Sequence, residues 1–195
     1  MTKNLDSLTK EELGRLFPVI ISEFNDEWKT LFHEEKRRIV DLLGKERVIR
    51  VEHIGSTAVP GLLAKPTIDI LVEIPIGKIL HNEINEIMTS SGYIHMKEQT
   101  DHLMFVKGYT PEGFKGQCYH IHMGPKEQES LWERLYFKDY LILNPTVAAE
   151  YAALKKGLSK KFKYDRDAYT EAKTEFIKKI TCTAKAAFMN RPTNQ

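Results

Sequence analysis

Cysteine is nearly absent from this chain. Two occur in 195 residues, Cys118 and Cys182, in no CxxC pair and at no metal-ligand spacing. That excludes a disulfide scaffold and a cysteine-held zinc, and leaves two thiols expected to be buried. No apolar run approaches the ~20 residues of a membrane-spanning helix. The N-terminal stretch MTKNLDSLTKEELGRLF carries charges throughout and lacks the apolar segment of a signal peptide. These absences predict a cytoplasmic protein with no membrane partner. Charge of one sign is also missing: 29 basic and 27 acidic residues are interspersed, for a net charge of +2. A nucleic-acid surface is therefore not indicated. There is no Walker A loop, no GxGxxG fingerprint, no repeat and no dividing linker. Residues 1–190 are expected to form one domain, and 191–195 a frayed tail.

What is present is a pattern of helix, mixed sheet and helices, an α+β class with a sheet of about five strands. After Asn25 as a cap, Trp28, Leu31, Phe32, Ile39, Leu42 and Leu43 recur on one helical face, ended by Gly44. Val48–Ile54 reads as a β-branched strand closed by Gly55-Ser56-Thr57, and Thr67–Ile74 as a second strand. From Gly77 to Gly92, Ile79, Leu80, Ile84, Ile87 and Met88 keep helical spacing. YIHMKE, HLMFVKG and QCYHIHM then read as three strands, the last two joined by a turn holding Pro111, Gly113 and Gly116. A helix follows from Ser130 to about Leu143. Asn144-Pro145 opens the next, with Tyr151, Leu154 and Leu158 on one side. The last starts near Asp165 and is expected to bury Tyr169, Ala172, Phe176 and Ile180.

The second strand is almost continuously apolar, as a strand covered on both faces should be. Asp69 interrupts it between Ile68 and Ile70. An unpaired charge there costs several kcal/mol, roughly, unless something compensates it. Two readings stay open. Asp69 holds a metal or acts as a base, or it is a carboxylate accepting bonds from the Gly55–Thr57 amides or pairing with Lys65. Both tie it to the turn, where a Gly-Ser pair after a strand can surround a phosphate with amides and a hydroxyl. A plain strand-ending turn is the alternative.

Other residues are candidates by position. His120 and His122 alternate along QCYHIHM, so both point to one face and could share a metal with Asp69. Glu52 and His53 are adjacent in a strand and face opposite sides; each is a candidate supporting group behind those that touch ligand. Lys65, just before the acidic strand, could reach a phosphate as a point charge. Lys155, Lys156, Lys160, Lys161 and Lys163 form a basic run expected to be a solvated face. YTEAK, Tyr169–Lys173, matches a Tyr-x-x-x-Lys spacing, but with no dinucleotide fingerprint it reads as helix packing plus a surface lysine.

Four stretches together carry a resemblance: EHIGSTAVPGL (Glu52–Leu62), KPTIDILV (Lys65–Val72), YHIHM (Tyr119–Met123) and YFKDYLILNPTVAAEYAALKKGL (Tyr136–Leu158), followed by YTEAK. The chain closely resembles the GrpB family, a nucleotidyltransferase-like group, over nearly its whole length. The resemblance implies a nucleotidyltransferase-like fold in which a Gly-Ser turn follows the first strand and carboxylates on the next hold divalent metal. It assigns Gly55, Ser56 and Thr57 to phosphate, and Asp69 to metal and catalysis, with Mg, Mn or Zn as cofactor. The expected ligand is a nucleotide or other phosphorylated small molecule, and the implied reaction is nucleotidyl transfer. Working nucleotidyltransferases carry two acids at alternate positions of that strand, and here the alternate position is Leu71. Glu73 shares the face but lies roughly 13 Å along it. Lys138 and Ile142 stand where the family commonly has arginines. A catalytically degenerate ligand- or partner-binding module is therefore a second reading, in keeping with the family's fusions to a coenzyme A biosynthesis kinase. An Asp69, His120 and His122 metal-dependent hydrolase is a third.

Overall fold

The computed structural model describes residues 5–97 and 101–189. A short helix α1 (Lys10–Leu16), not among the expected elements, is held by a capping box: Thr9 and Glu12 bond each other's backbone amides. The packing helix α2 spans Glu27–Leu43 and starts where Asn25 Oδ1 accepts from the Glu27 amide at 2.9 Å. It ends at Gly44 with φ +80°. Strand β1 (Arg50–Ile54) and β2 (Thr67–Glu73) flank a single 3-10 turn, Ser56–Ala58. Helix α3 covers Lys78–Ser90.

The strand expected over YIHMKE shrinks to β3 (Ile94–His95), and Glu98 lies outside the described residues. β4 runs Leu103–Thr110 and β5 Gly113–Gly124. The expected loop between them is only Pro111-Glu112, because Gly113 and Gly116 belong to the longer β5 and Thr110 pairs with Gly113. The helices α4 (Glu129–Leu143), α5 (Pro145–Lys161), α6 (Arg166–Glu171) and α7 (Thr174–Met189) follow. Asn144 does not cap α5 with its side chain; its Nδ2 donates back to the Tyr140 carbonyl at 2.8 Å. The expected single last helix is broken at Ala172-Lys173, and Ala172 is exposed rather than buried. Cys118 is buried as expected, whereas Cys182 is exposed. The 191–195 tail lies outside the described residues.

The sheet is mixed, in the order β1-β2-β5-β4-β3. β2 runs parallel to β5, and the other pairings are antiparallel. Side-chain alternation gives its two faces different work. Ile68, Ile70 and Val72 pack with α2 and α3 against Trp28, Phe32, Ile39, Ile84 and Met88. The opposite face carries Asp69 and Leu71 of β2 beside His120 and His122 of β5, and is roofed by the helices after β5. Among the described residues no helix is long and apolar enough to cross a membrane.

Candidate functional site

The site begins where β1 gives out. Gly55 has φ +72° and ψ −172°, backbone open only to glycine, and a methyl placed on it would lie 2.2 Å from Asp69 Oδ2. The turn and the acid thus touch through the one residue that has no side chain. Asp69 pairs in register with Ile54 on one side and His120 on the other. Its bond is to His120, Nδ1 to Oδ1 at 3.3 Å, not to the amides of the turn. Burial raises its pKa, but the bond and charge of His120, with Lys65 and Arg134, outweigh that and hold the carboxyl below its usual value. Its side chain keeps 30% of its surface open, so an ionised carboxylate faces a solvent-reachable crevice.

A hydrogen-bonded chain fixes His120. Arg166 Nη2 donates to the Tyr109 hydroxyl at 3.0 Å, and that oxygen lies 2.8 Å from His120 Nε2. The ionised carboxylate of Asp69 can only accept, so the proton of a neutral His120 ring sits on Nδ1, facing it, and Nε2 accepts from the Tyr109 hydroxyl. Tyr109 reaches this face through a bulge. Register slips between Lys107 and Tyr109 at Gly108, φ +89°, which reverses the alternation for the residues beyond it. Lys107, before the bulge, points to the opposite face and bonds Glu35 at 2.7 and 2.9 Å.

The roof contributes cations. Lys155 of α5 is 2% exposed, and its Nζ donates to Ser56 Oγ at 2.9 Å and to the Leu63 carbonyl at 2.5 Å. It also lies 4.6 Å from the centre of the Tyr151 ring. Lys65 and Lys173 share the face of Tyr169, at 5.5 and 4.2 Å from its centre. Burial pushes Lys65 and Lys155 down to about 7 and Lys173 down to about 8, and for each lysine Asp69 is the carboxylate that counters it. Arg134 of α4 also feels Asp69, and Arg166 adds positive charge against Lys65 and Lys173. Beside Lys65 and Arg166 a cavity of about 160 Å³ is walled by Pro18, Ile20, Phe114 and Cys118.

Several sequence expectations change here. Lys155 was expected on a solvated face and is buried at the turn; it faces inward because α5 lays Tyr151 and Lys155, one turn apart, on the same inner side. Lys173, expected as a surface lysine, sits at the break between α6 and α7, which turns it onto Tyr169. Thr57 was expected to hold phosphate, but its hydroxyl is buried, donates to the Thr67 carbonyl at 3.4 Å and receives His53 Nε2 at 3.0 Å. His53 stacks on Phe32 at 4.7 Å, on the opposite side of the sheet, and burial lowers its pKa to about 4. It buttresses the turn from behind. Glu52 faces the site side of the sheet, but directly across from Leu71 rather than Asp69.

The three side chains expected to share a metal do not converge. His120 has both nitrogens engaged, and His122 Nδ1 instead meets His102 Nε2 at 2.8 Å. Burial holds His122 well below its ordinary pKa. Among the described residues no three His, Cys, Asp or Glu side chains are grouped to hold a metal. Leu71 is fully buried with Ile54, Leu131 and Trp132, and Glu73 is spent on Arg50 at 3.1 Å. One carboxylate among lysines and arginines does not fit a paired-metal centre, which needs bridging acids.

Comparison with known proteins bears on the family and the fold. The family model described as "GrpB protein" matches residues 18–183. The "Glutamate-rich protein GrpB" of Alkalihalophilus pseudofirmus is 34% identical over 163 residues, 83% of this chain and 93% of that one. The "UPF0157 protein YqkA" of Bacillus subtilis is 33% identical over 162 residues, 83% of this chain; the match spans 46% of that relative's length. The crystal structure of the conserved protein GrpB from Enterococcus faecalis superposes with a TM-score of 0.77 at 30% identity, covering 88% of this chain and 100% of that one.

Proposed function

The chain belongs to the GrpB family, and from that premise we propose that it binds a nucleotide or other phosphorylated small molecule in the crevice between Ser56 and Asp69. One observation carries the reading. Lys155 bonds the turn at Ser56, Lys65 and Lys173 lie against Tyr169, and among the described residues one carboxylate, Asp69, counters all three. Two ammonium groups within ~10 Å repel by at least ~1.5 kcal/mol at an effective dielectric of ~20, and burial adds to that cost. A polyanion in the crevice removes both penalties.

In this reading Gly55 lets the ligand approach the backbone, and Ser56 and Lys155 take its phosphate. Lys65 stands between the phosphate and the apolar-walled cavity beside Arg166, which would receive the rest of the molecule. Asp69, ionised and oriented by His120, is the group placed to accept a proton from an attacking hydroxyl. Nucleotidyl transfer is the reaction class that the Gly-Ser turn and Asp69 favour by resemblance. A binding role without turnover is the second reading, favoured by Leu71 in the place of the second acid.

Calorimetric titration with a panel of nucleotides and sugar phosphates tests the first reading. Binding that weakens at least tenfold in Lys155→Met supports it, and no binding across the panel ends it. A turnover assay on whatever binds then separates transfer from inert binding.

A further inference from the structure

Nucleotidyltransferases neutralise a triphosphate with two divalent ions, and those ions need two carboxylates close together to hold them. This chain keeps the turn and one acid, but the second acidic position is Leu71, sealed in an apolar cluster with Ile54, Leu131 and Trp132. Glu52 lies across from that leucine on the neighbouring strand, and among the described residues no group of three His, Cys, Asp or Glu is placed to hold a metal. What has gathered instead is ammonium. Lys155 donates to the hydroxyl of the turn itself, and Lys65 and Lys173 both lie over one buried ring, Tyr169.

Resting on the phosphate-binding reading above, we propose that the ligand is a di- or triphosphate chain bound without a divalent metal. Lys155, Lys65 and Lys173 supply the positive charge that a metal pair supplies elsewhere in the fold class. Three observations of independent origin agree with this. The three lysines come from the β1–β2 connection, from α5 and from the α6–α7 break, so no shared helical stripe placed them together. Among the described residues Asp69 is the carboxylate that acts on each of them. Among the described residues the contact that Lys65 and Lys173 make is with the ring of Tyr169, which leaves their N–H donors available to phosphate oxygens. The arrangement also sets the role of Asp69. In a metal centre its charge is required for the phosphate to bind; in a lysine site its charge opposes that phosphate.

The two arrangements therefore predict opposite signs. Inorganic tripolyphosphate and ATP are titrated into the full chain by calorimetry, once with EDTA and once with millimolar Mg²⁺. Binding in EDTA at least as tight as in Mg²⁺ is expected, since Mg²⁺ neutralises the ligand before the lysines can. Asp69→Asn is expected to tighten EDTA-phase binding severalfold, and Lys173→Met, at a half-buried position, to weaken it tenfold or more. Tighter binding in Mg²⁺ than in EDTA, or loss of binding in Asp69→Asn with the circular dichroism unchanged, overturns the metal-free site while leaving the phosphate reading intact. No binding of either probe under either condition overturns both. The comparison with and without metal uses the unaltered chain, so misfolding of a variant cannot obscure it.

Discussion

Gly55 and Asp69 meet without a side chain between them: a methyl on Gly55 would come within 2.2 Å of the Asp69 carboxylate, at φ +72°. Gly55→Ala therefore combines a backbone region closed to alanine with a clash against a carboxylate held by His120. The expected loss is about 2–4 kcal/mol of stability, read from urea midpoints. Phosphate binding should fall with it. An alanine variant within about 0.5 kcal/mol of the original would mean that the turn is free to move away from the acid.

Leu71 decides whether the missing acid can be restored. It is fully buried against Ile54, Leu131 and Trp132, and Arg50, which lies over the far member Trp132, is already bonded to Glu73. Leu71→Asp should cost about 3–5 kcal/mol and leave the chain largely unfolded or aggregated at 37 °C. Circular dichroism and a thermal melt check it. A well-folded Leu71→Asp protein that gains Mg²⁺ binding would show instead that the β2 face can still form a metal pair.

The sequence made the sheet and half of the site readable for a physical reason. A continuous apolar run broken by one acid announces both a covered strand and a functional anomaly, so β2 and Asp69 were visible, as was the glycine turn. The lysines were not. Lys155 stands in a run of five lysines whose members look alike in sequence, and only the seating of Tyr151 in the core reveals which one turns inward. Lys173 depends on a break between α6 and α7 that carries neither proline nor glycine. Tyr109 depends on the bulge at Gly108; a glycine inside a strand is a signal for that, although period-two reasoning alone puts Tyr109 on the wrong face.

The lysines should give the free protein an unusual alkaline response. Burial lowers Lys65 and Lys155 from 10.5 to about 7, and Lys173 from 10.5 to about 8. Between those values the unfolded chain binds more protons than the folded one, so stability rises with pH. From pH 7 to 9 the gain should be at least about 1.4 kcal/mol per unit, the slope for one proton. Above about pH 10 it should reverse, because burial raises Tyr119 and Tyr169 to about 12 and the unfolded tyrosines ionise first. Denaturation at fixed pH values measures this, and stability that is flat or falling from pH 7 to 9 would contradict buried lysine charge.

On the acid side His53 acts together with His102 and His122, whose pKa values burial also lowers. The pKa of His53 falls from 6.5 to about 4 because burial against Phe32 disfavours the imidazolium. A depressed histidine contributes stability that is complete above pH 6.5 and is lost as pH drops toward 4, since only the unfolded chain takes the proton in that window. His53→Gln should make this limb shallower, with His102 and His122 still contributing, while lowering stability at pH 7 by about 1 kcal/mol through loss of the stack and the Thr57 bond. An unchanged limb in the variant would assign the acid sensitivity to another group.

The relay from Arg166 through Tyr109 to His120 has a direction, and that direction is measurable. Asp69 can only accept, so the imidazole proton stays on Nδ1 against it, Nε2 accepts the Tyr109 proton, and Arg166 donates to the Tyr109 oxygen. Nitrogen-15 shifts of His120 should report the Nδ1–H tautomer in the free protein at pH 8. Tyr109→Phe removes both bonds of the hydroxyl, which at about 1 kcal/mol each predicts a fall in Tm of roughly 4–8 °C and mixed tautomers at His120. If the ring lost its orientation, Asp69 would face the crevice without its partner, and the affinity for tripolyphosphate would change in Tyr109→Phe although Tyr109 touches no phosphate. A His120 proton found on Nε2 in the unaltered protein would reverse the relay and remove the reason for Asp69 to stay ionised beside it.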